Sequence, residues 1–172
     1  MKNIAKTTLL ALLLGNGVFA AAGHHSDADY DGIQIKHVGH SELGDPATVL
    51  EVKTEASRAL GQGEVRVTVL AAPINPSDLL QIAGNYGVDP VLPARPGSEG
   101  VGRVIEVSPD VKALKVGQLV LLASGSTWAE ELVAPAAGFL PLPDLGPIGA
   151  DVIEQLAMST VNPLTALLML TS

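Results

Sequence analysis

This 172-residue chain has 18 acidic residues and four histidines but no cysteine. The absence of cysteine excludes disulfides, thiolate zinc sites and a cysteine nucleophile. Ser77 stands beside Asp78, but no Gly-x-Ser-x-Gly elbow is present and no histidine lies near them in sequence, so a hydrolase nucleophile is not indicated. The remaining candidates are polar or aromatic side chains in Pro- and Gly-rich surroundings: Asn75, Tyr86, Trp128 and Asn162.

Local sequence gives each of these candidates an ordinary structural role. Asn75 and Asn162 both precede a proline, which is the pattern of an N-cap followed by the first turn of a helix. Tyr86 lies before a Pro-rich loop over residues 90–96, so its surroundings alone indicate a turn tyrosine that covers the loop. Trp128 is the single tryptophan, and a lone tryptophan is most often a core residue.

Short strands and turn signals follow one another closely along the chain, which predicts a mainly β fold with short helices. A Pro- and Gly-dense boundary near residues 141–147 precedes the last two predicted helices. Strands are predicted over residues 33–38, 48–52, 64–70, 100–107, 118–122 and 128–134. Helices are predicted over residues 76–83, 150–158 and 163–170.

Three neighbouring segments together resemble the catalytic-domain signature of the medium-chain dehydrogenases/reductases. They are Ile74-Asn75-Pro76-Ser77-Asp78, Gln81-Ile82-Ala83-Gly84-Asn85-Tyr86-Gly87 and Leu92-Pro93-Ala94-Arg95-Pro96-Gly97-Ser98-Glu99-Gly100-Val101-Gly102. Within that family the chain looks most like the zinc-independent enoyl thioester reductases, the trans-2-enoyl-CoA/ACP reductase type. The resemblance implies a partly open, GroES-like β-barrel, followed by the first helices that lead into a Rossmann domain absent from this sequence.

The resemblance also implies roles for the four candidates. Tyr86 matches the proton donor for NADPH-dependent reduction of an enoyl thioester, which is general-acid chemistry that a phenol can perform. Asn162 and Asn75 match positions on the NADPH side of the site, where an amide can both donate and accept. Trp128 matches a residue that lines the substrate pocket.

The sequence lacks two motifs found among related enzymes: a set of zinc ligands and a dinucleotide-binding fingerprint. Zinc-bearing relatives carry a cysteine near the position of Asn75 and a His-Glu pair after that of Gly97, whereas this chain offers too few nitrogen or sulfur ligands, so no metal site is predicted. The closest string to a dinucleotide fingerprint, residues 97–102, has the wrong spacing and leads into a strand. The chain alone is therefore expected to bind NADPH weakly or not at all, and to be a truncated and inactive form of the reductase.

Two other functions stay open. One is a quinone oxidoreductase of the zeta-crystallin type, which shares this scaffold, and the other is a non-catalytic exported β-domain. A net charge of −8 argues against a nucleic-acid partner. The predicted partner is a small-molecule enoyl thioester. The resemblance further implies that the last helix normally packs on the Rossmann sheet, so its leucines should be partly exposed here and favour a homodimer: Leu164, Leu167, Leu168 and Leu170.

Composition divides the chain into four predicted regions. Residues 1–22 resemble a signal peptide, with Lys2 and Lys6 ahead of an apolar run too short to span a bilayer. A flexible acidic lead covers residues 23–32. The GroES-like, alcohol-dehydrogenase-type catalytic domain covers residues 33–143, and a linker with the helices of a truncated Rossmann domain covers residues 144–172. Use of the signal predicts a periplasmic or secreted protein without a membrane anchor after cleavage; the alternative is a cytoplasmic protein.

Overall fold

The computed structural model describes Tyr30 and residues 32–171. The predicted leader lies outside the described residues, as does most of the predicted acidic lead. The strands are β1 (Gln34–Gly39), β2 (Glu51–Ala56), β3 (Glu64–Ala71), β4 (Gly100–Val107), β5 (Leu119–Leu122), β6 (Glu131–Pro135) and β7 (Phe139–Pro141). The helices are α1 (Pro46–Val49), α2 (Pro76–Ile82), α3 (Ala150–Ala157) and α4 (Val161–Thr171), and a 3-10 turn covers Ala136–Gly138.

A five-stranded antiparallel sheet forms the body of the protein. Its strand order is β6-β3-β4-β5-β7, and it curls into a half-barrel. Strands β1 and β2 pair separately, with Gln34 opposite Ala56 and Gly39 opposite Glu51. The predicted mainly β fold with short helices is confirmed.

Alternating aliphatic side chains of the central strands build the core. Val65 and Val67 of β3 pack with Val104 of β4 and with Val120 and Leu122 of β5, and all five are fully buried. Because successive side chains of a strand point to opposite faces, every second residue of β3 reaches this cluster. Burial of each such side chain contributes roughly 1.5–3 kcal/mol, so this cluster fixes the sheet that carries the candidate site.

The other face of β3 holds a buried arginine. Arg66 Nε donates to Glu106 Oε2 over 2.9 Å, and Arg66 Nη1 lies 3.7 Å from Glu131 Oε2. The Arg66 guanidinium also lies 4.5 Å from the centroid of the Tyr30 ring, a cation–π contact. Burial, together with the Glu106 carboxylate, raises the pKa of Tyr30 to about 12. This charged layer attaches the start of the described chain to the sheet.

Two strand predictions are wrong in their first halves. The predicted strand over residues 48–52 begins only at Glu51, because Asp45 Oδ1 accepts from Ala47 N–H and caps the short helix α1. The predicted strand over residues 128–134 begins only at Glu131. Residues before Glu131 are engaged elsewhere: the Trp128 N–H donates to Pro96 O over 3.2 Å.

The strand β7 is absent from the sequence-based prediction. It has only three residues and ends in Pro141, so its local signal is weak. It forms because Phe139 pairs with Leu122 at the edge of the sheet and is itself buried.

The two C-terminal helices differ in how they pack. Helix α3 contacts β3 and β4 and buries Ala157, whereas no described side chain of α4 is buried. Leu164, Leu167 and Leu168 are 55%, 56% and 59% exposed, as expected from the sequence. In the described part of the chain, no helix combines the length and apolarity needed to cross a membrane.

The core assignment predicts that two leucines on neighbouring strands contribute very differently to the free energy of unfolding. Leu122→Ala removes a fully buried side chain of β5 and should lower the free energy of unfolding by about 2–5 kcal/mol, because it leaves a cavity. The control is Leu140→Ala on β7, where the side chain is 48% exposed and the loss should be much smaller. Urea unfolding of the two variants measures the difference, and equal losses would contradict the core assignment.

The exposed face of α4 predicts self-association. Replacing Leu164, Leu167 and Leu168 together with glutamine should lower the concentration-dependent association of the chain, because the exposed apolar patch is removed. Sedimentation velocity measures this association. Val91→Gln, at an exposed position far along the chain from α4, serves as the control. An unchanged distribution in the triple variant would show that the α4 face does not drive association.

Candidate active site

A buried carboxylate, Glu99, lies where β4 begins and joins three parts of the chain. The residue has no solvent-exposed surface. Its Oε1 accepts from Asn75 Nδ2 over 3.0 Å. Its Oε2 accepts from Thr160 N–H over 3.0 Å, from Thr160 Oγ1 over 2.6 Å and from Val161 N–H over 2.8 Å. The start of α2 and the start of α4 are therefore bound to one side chain.

The hydrogen bonds keep Glu99 ionised despite its burial. Burial by itself would raise the pKa of Glu99, but the bonds from Thr160, Val161 and Asn75 outweigh it, so the pKa lies below its ordinary value. A negative charge at the N-terminus of a helix is also favoured by the helix dipole and by its unpaired N–H groups. The carboxylate thus acts as the cap of α4.

Asn75 caps α2, as the sequence predicts, and Pro76 occupies the first turn. Its backbone N–H donates to Asp78 Oδ2 over 2.9 Å. The other carboxylate oxygen of Asp78 accepts from Ser98 Oγ over 2.5 Å. These bonds hold the start of α2 against the turn that precedes β4, with Asn75 and Asp78 buried and Ser98 exposed.

Asn162 does not cap α4, so this part of the sequence-based prediction is wrong. The helix begins at Val161, and Asn162 lies exposed within its first turn. The physical reason is that Glu99 Oε2 accepts from the N–H groups of Thr160 and Val161 and supplies the cap from a distant part of the chain.

Trp128 packs behind Gly97. Its indole Nε1 donates to Pro73 O over 2.9 Å, and the ring is partly buried. Gly97 has φ +102°, and a Cβ there would lie 2.6 Å from Trp128 Cδ1 and 2.4 Å from Thr127 Oγ1. The position therefore requires glycine for both its backbone conformation and its close contacts.

An open cleft of about 520 Å³ lies beside this turn. It runs between the Pro-rich loop and the turn over residues 123–126. The residues that line it are Gln81, Pro90, Val91, Pro93, Ala94, Arg95, Pro96, Gly97, Ser98, Ala123, Ser124, Gly125 and Ser126. Trp128 is not among them, so the structure places it behind the cleft wall rather than in the cleft.

Tyr86 is 52% exposed, in the loop between α2 and the Pro-rich segment. It does not line the cleft, although Gln81 and Pro90 on either side of it in sequence do. The structure thus brings Asn75 close to the helix turn that carries Asn162, through Glu99, and leaves Tyr86 and Trp128 outside that cluster. The catalytic, cofactor and substrate roles of these four residues stay predictions.

Glu99, Thr160 and the Asp78–Ser98 pair are site residues that the sequence-based reasoning missed. The Asn75–Asp78 spacing was visible as a helix-start signal, since an acidic residue three positions after the cap is its usual partner. The hydrogen bonds of Glu99 have no local sequence pattern, because its partners lie 24 and 61 positions away in the chain. Among the described residues, no three His, Cys, Asp or Glu side chains are grouped so that they could hold a metal ion.

A family model, the alcohol dehydrogenase GroES-like domain, matches residues 61–144. Human mitochondrial enoyl-[acyl-carrier-protein] reductase is 37% identical over 161 residues, which covers 92% of this chain and 42% of the relative. The chain belongs to the medium-chain dehydrogenase/reductase family. It is similar to the enoyl thioester reductases of that family and matches their N-terminal part.

Solved structures of this family share the fold. The complex of Etr1p with NADP and crotonyl-CoA is 32% identical, with a TM-score of 0.71 over 81% of this chain and 43% of Etr1p. A protein from Bacillus thuringiensis that is assigned as an NADPH:quinone reductase is 35% identical, with a TM-score of 0.72 over 82% of this chain and 41% of that protein. The chain spans less than half the length of these relatives, and its half-barrel is the GroES-like domain of the family.

The packing of Gly97 predicts a specific spectroscopic change. Gly97→Ala should destabilise the chain and displace Trp128, because the new Cβ would overlap Thr127 Oγ1 and the indole. The intrinsic fluorescence of the single tryptophan should shift accordingly. Gly63→Ala is the matched control, since Gly63 has φ +74° with open space around it and isolates the backbone strain from the clash. The same emission spectrum in both variants would contradict this packing.

Proposed function

We propose that this chain forms the catalytic-domain part of an NADPH-dependent reductase that reduces the 2,3 double bond of enoyl thioesters. The observation that carries the proposal is the 37% identity to an enoyl-[acyl-carrier-protein] reductase over 161 residues, which is 92% of this chain. The NADP and crotonyl-CoA bound by Etr1p indicate the cofactor and the substrate class.

The proposed reaction needs a proton donor on the protein. NADPH, when bound, supplies a hydride to Cβ of the substrate. Negative charge then builds on the carbonyl oxygen and Cα, and the phenol of Tyr86 donates a hydrogen bond to the enolate and then its proton to Cα. The exposure of Tyr86 supports access of a substrate to its hydroxyl group.

The residues on the proposed cofactor side fit an amide-bearing ring. Asn75 Nδ2 carries two hydrogens, and the hydrogen bond to Glu99 uses one of them. Asn162 is exposed in the first turn of α4. Residues 97–102 run directly into β4 rather than into a helix, so this segment cannot hold a pyrophosphate as a dinucleotide fingerprint does. We therefore propose that the chain alone binds NADPH weakly or not at all.

Quinone reduction is the second candidate function. The similarity to the Bacillus thuringiensis protein favours it, since its identity and TM-score are comparable with those of Etr1p. A quinone accepts hydride without needing a proton donor placed at Cα, so Tyr86 separates the two functions.

The test replaces the matching 43% of Etr1p with the described part of this chain and follows NADPH oxidation. Oxidation with crotonyl-CoA supports the proposal. NADPH oxidation with a quinone but not with crotonyl-CoA would support the second candidate instead. A chimera that folds and binds NADPH but reduces neither substrate would refute both.

Tyr86→Phe in this chimera should lower kcat for crotonyl-CoA about 100-fold or more with little change in KM, because it removes the proton donor but keeps the ring. Tyr30→Phe, at the other tyrosine of the chain, is the matched control and should leave kcat unchanged. Equal kcat values in the two variants would show that Tyr86 is not the acid.

A further inference from the structure

Glu99 is the one described side chain that hydrogen-bonds both the cap of α2 and the first turn of α4. These are the two elements that carry Asn75 and Asn162. The two carboxylate oxygens divide the task, since Oε1 accepts from Asn75 and Oε2 accepts from Thr160 and Val161. Because a carboxylate is planar and rigid, a shift of either partner group is transmitted to the other.

The hydrogen bonds to Glu99 are important for the position of α4, because little else attaches its first turn. No described side chain of α4 is buried, so its first turn has little apolar packing to hold it against the barrel. The main-chain oxygen of Glu99 is fixed as well, because it accepts from Thr127 Oγ1 over 2.7 Å. The carboxylate is therefore anchored to the sheet on one side and positions α4 on the other.

We propose that Glu99 is a positioning residue that sets the orientation of the Asn75 amide and of the helix turn bearing Asn162 relative to each other. The inference rests on the proposed function in one respect: it takes Asn75 and Asn162 as the residues on the nicotinamide side of the site. Because Glu99 has no solvent-exposed surface, it acts through these two residues rather than by direct contact with cofactor or substrate.

Glutamine is the informative replacement for Glu99. It keeps the length and shape of the side chain but has one acceptor oxygen and one NH2 group. Whichever way the amide is turned, its NH2 faces either the donor of Asn75 or the donors of Thr160 and Val161. One of the two attachments is therefore lost, and their coupling is lost with it.

The test measures coupling by NMR on the full chain. Thr160→Val removes the hydroxyl donor to Glu99 and should shift the side-chain NH2 resonances of Asn75, which Thr160 reaches only through Glu99. Thr165→Val is the matched control. It removes a hydroxyl bond of the same helix, from Thr165 Oγ1 to Val161 O, that does not involve Glu99, and should leave Asn75 unchanged.

The same substitution in a Glu99→Gln background completes a double-mutant cycle. In this background Thr160→Val should no longer shift the side-chain NH2 resonances of Asn75, because one of the two attachments is already lost. The proposal would be overturned if Thr160→Val still shifts the Asn75 NH2 resonances in the Glu99→Gln background. It would also be overturned if Thr160→Val leaves these resonances unchanged when Glu99 is present. If the Glu99→Gln chain does not fold, the comparison of Thr160→Val with Thr165→Val decides.

Steady-state kinetics separate this inference from the proposed function. In the Etr1p chimera, Glu99→Gln should raise the KM for NADPH about tenfold, while the KM for crotonyl-CoA stays unchanged. Unchanged values of both constants in an active chimera would overturn the positioning role. An inactive parent chimera would count against the proposed function, and the NMR coupling would then decide on Glu99 by itself.

Discussion

A buried negative charge must be hydrogen-bonded, and this constraint organises the site end of the molecule. Removing a carboxylate from water is costly unless several donors replace the lost hydration. Glu99 meets the constraint with donors from Asn75, Thr160 and Val161. Once these donors are in place, the start of α2, the start of β4 and the start of α4 have fixed relative positions. The lowered pKa of Glu99 follows from the same bonds, which prevail over burial.

A second buried charge, Arg66 of β3, is stabilised by the same principle. Arg66 is surrounded by Glu106, Glu131 and the Tyr30 ring. Burial raises the pKa of Glu131, and the positive charge of Arg66 opposes that rise. The half-barrel therefore has an aliphatic core, one charged cluster around Arg66 and another at its candidate site.

Local signals in the sequence were sufficient for much of the fold and for one site residue. The alternation in β3 and the Asn-Pro pattern at the start of α2 are properties of neighbouring residues, and both are found in the structure. The start of α4 was placed too late because its cap comes from Glu99, whose sequence distance hides the contact. Similarly, β6 begins late because Trp128 hydrogen-bonds to Pro96.

The candidate site was less predictable than the fold, for a physical reason. An asparagine before a proline has the same local pattern whether it only caps a helix or also binds a cofactor. The cofactor roles predicted for Asn75 and Asn162 and the acid role predicted for Tyr86 therefore rest on the resemblance to a family. The structure adds what the resemblance did not contain: a buried carboxylate that connects the first two.

In the function proposed above, this chain provides the proton and the binding surface for reduction of an enoyl thioester. The most direct measurement is NMR analysis of the product formed from crotonyl-CoA and NADPH in deuterated water by the Etr1p chimera. The account predicts butyryl-CoA with one deuterium at Cα, from the exchangeable Tyr86 hydroxyl, and none at Cβ. A product with solvent deuterium at Cβ, or no reduced thioester from a folded, NADPH-binding chimera, would contradict it.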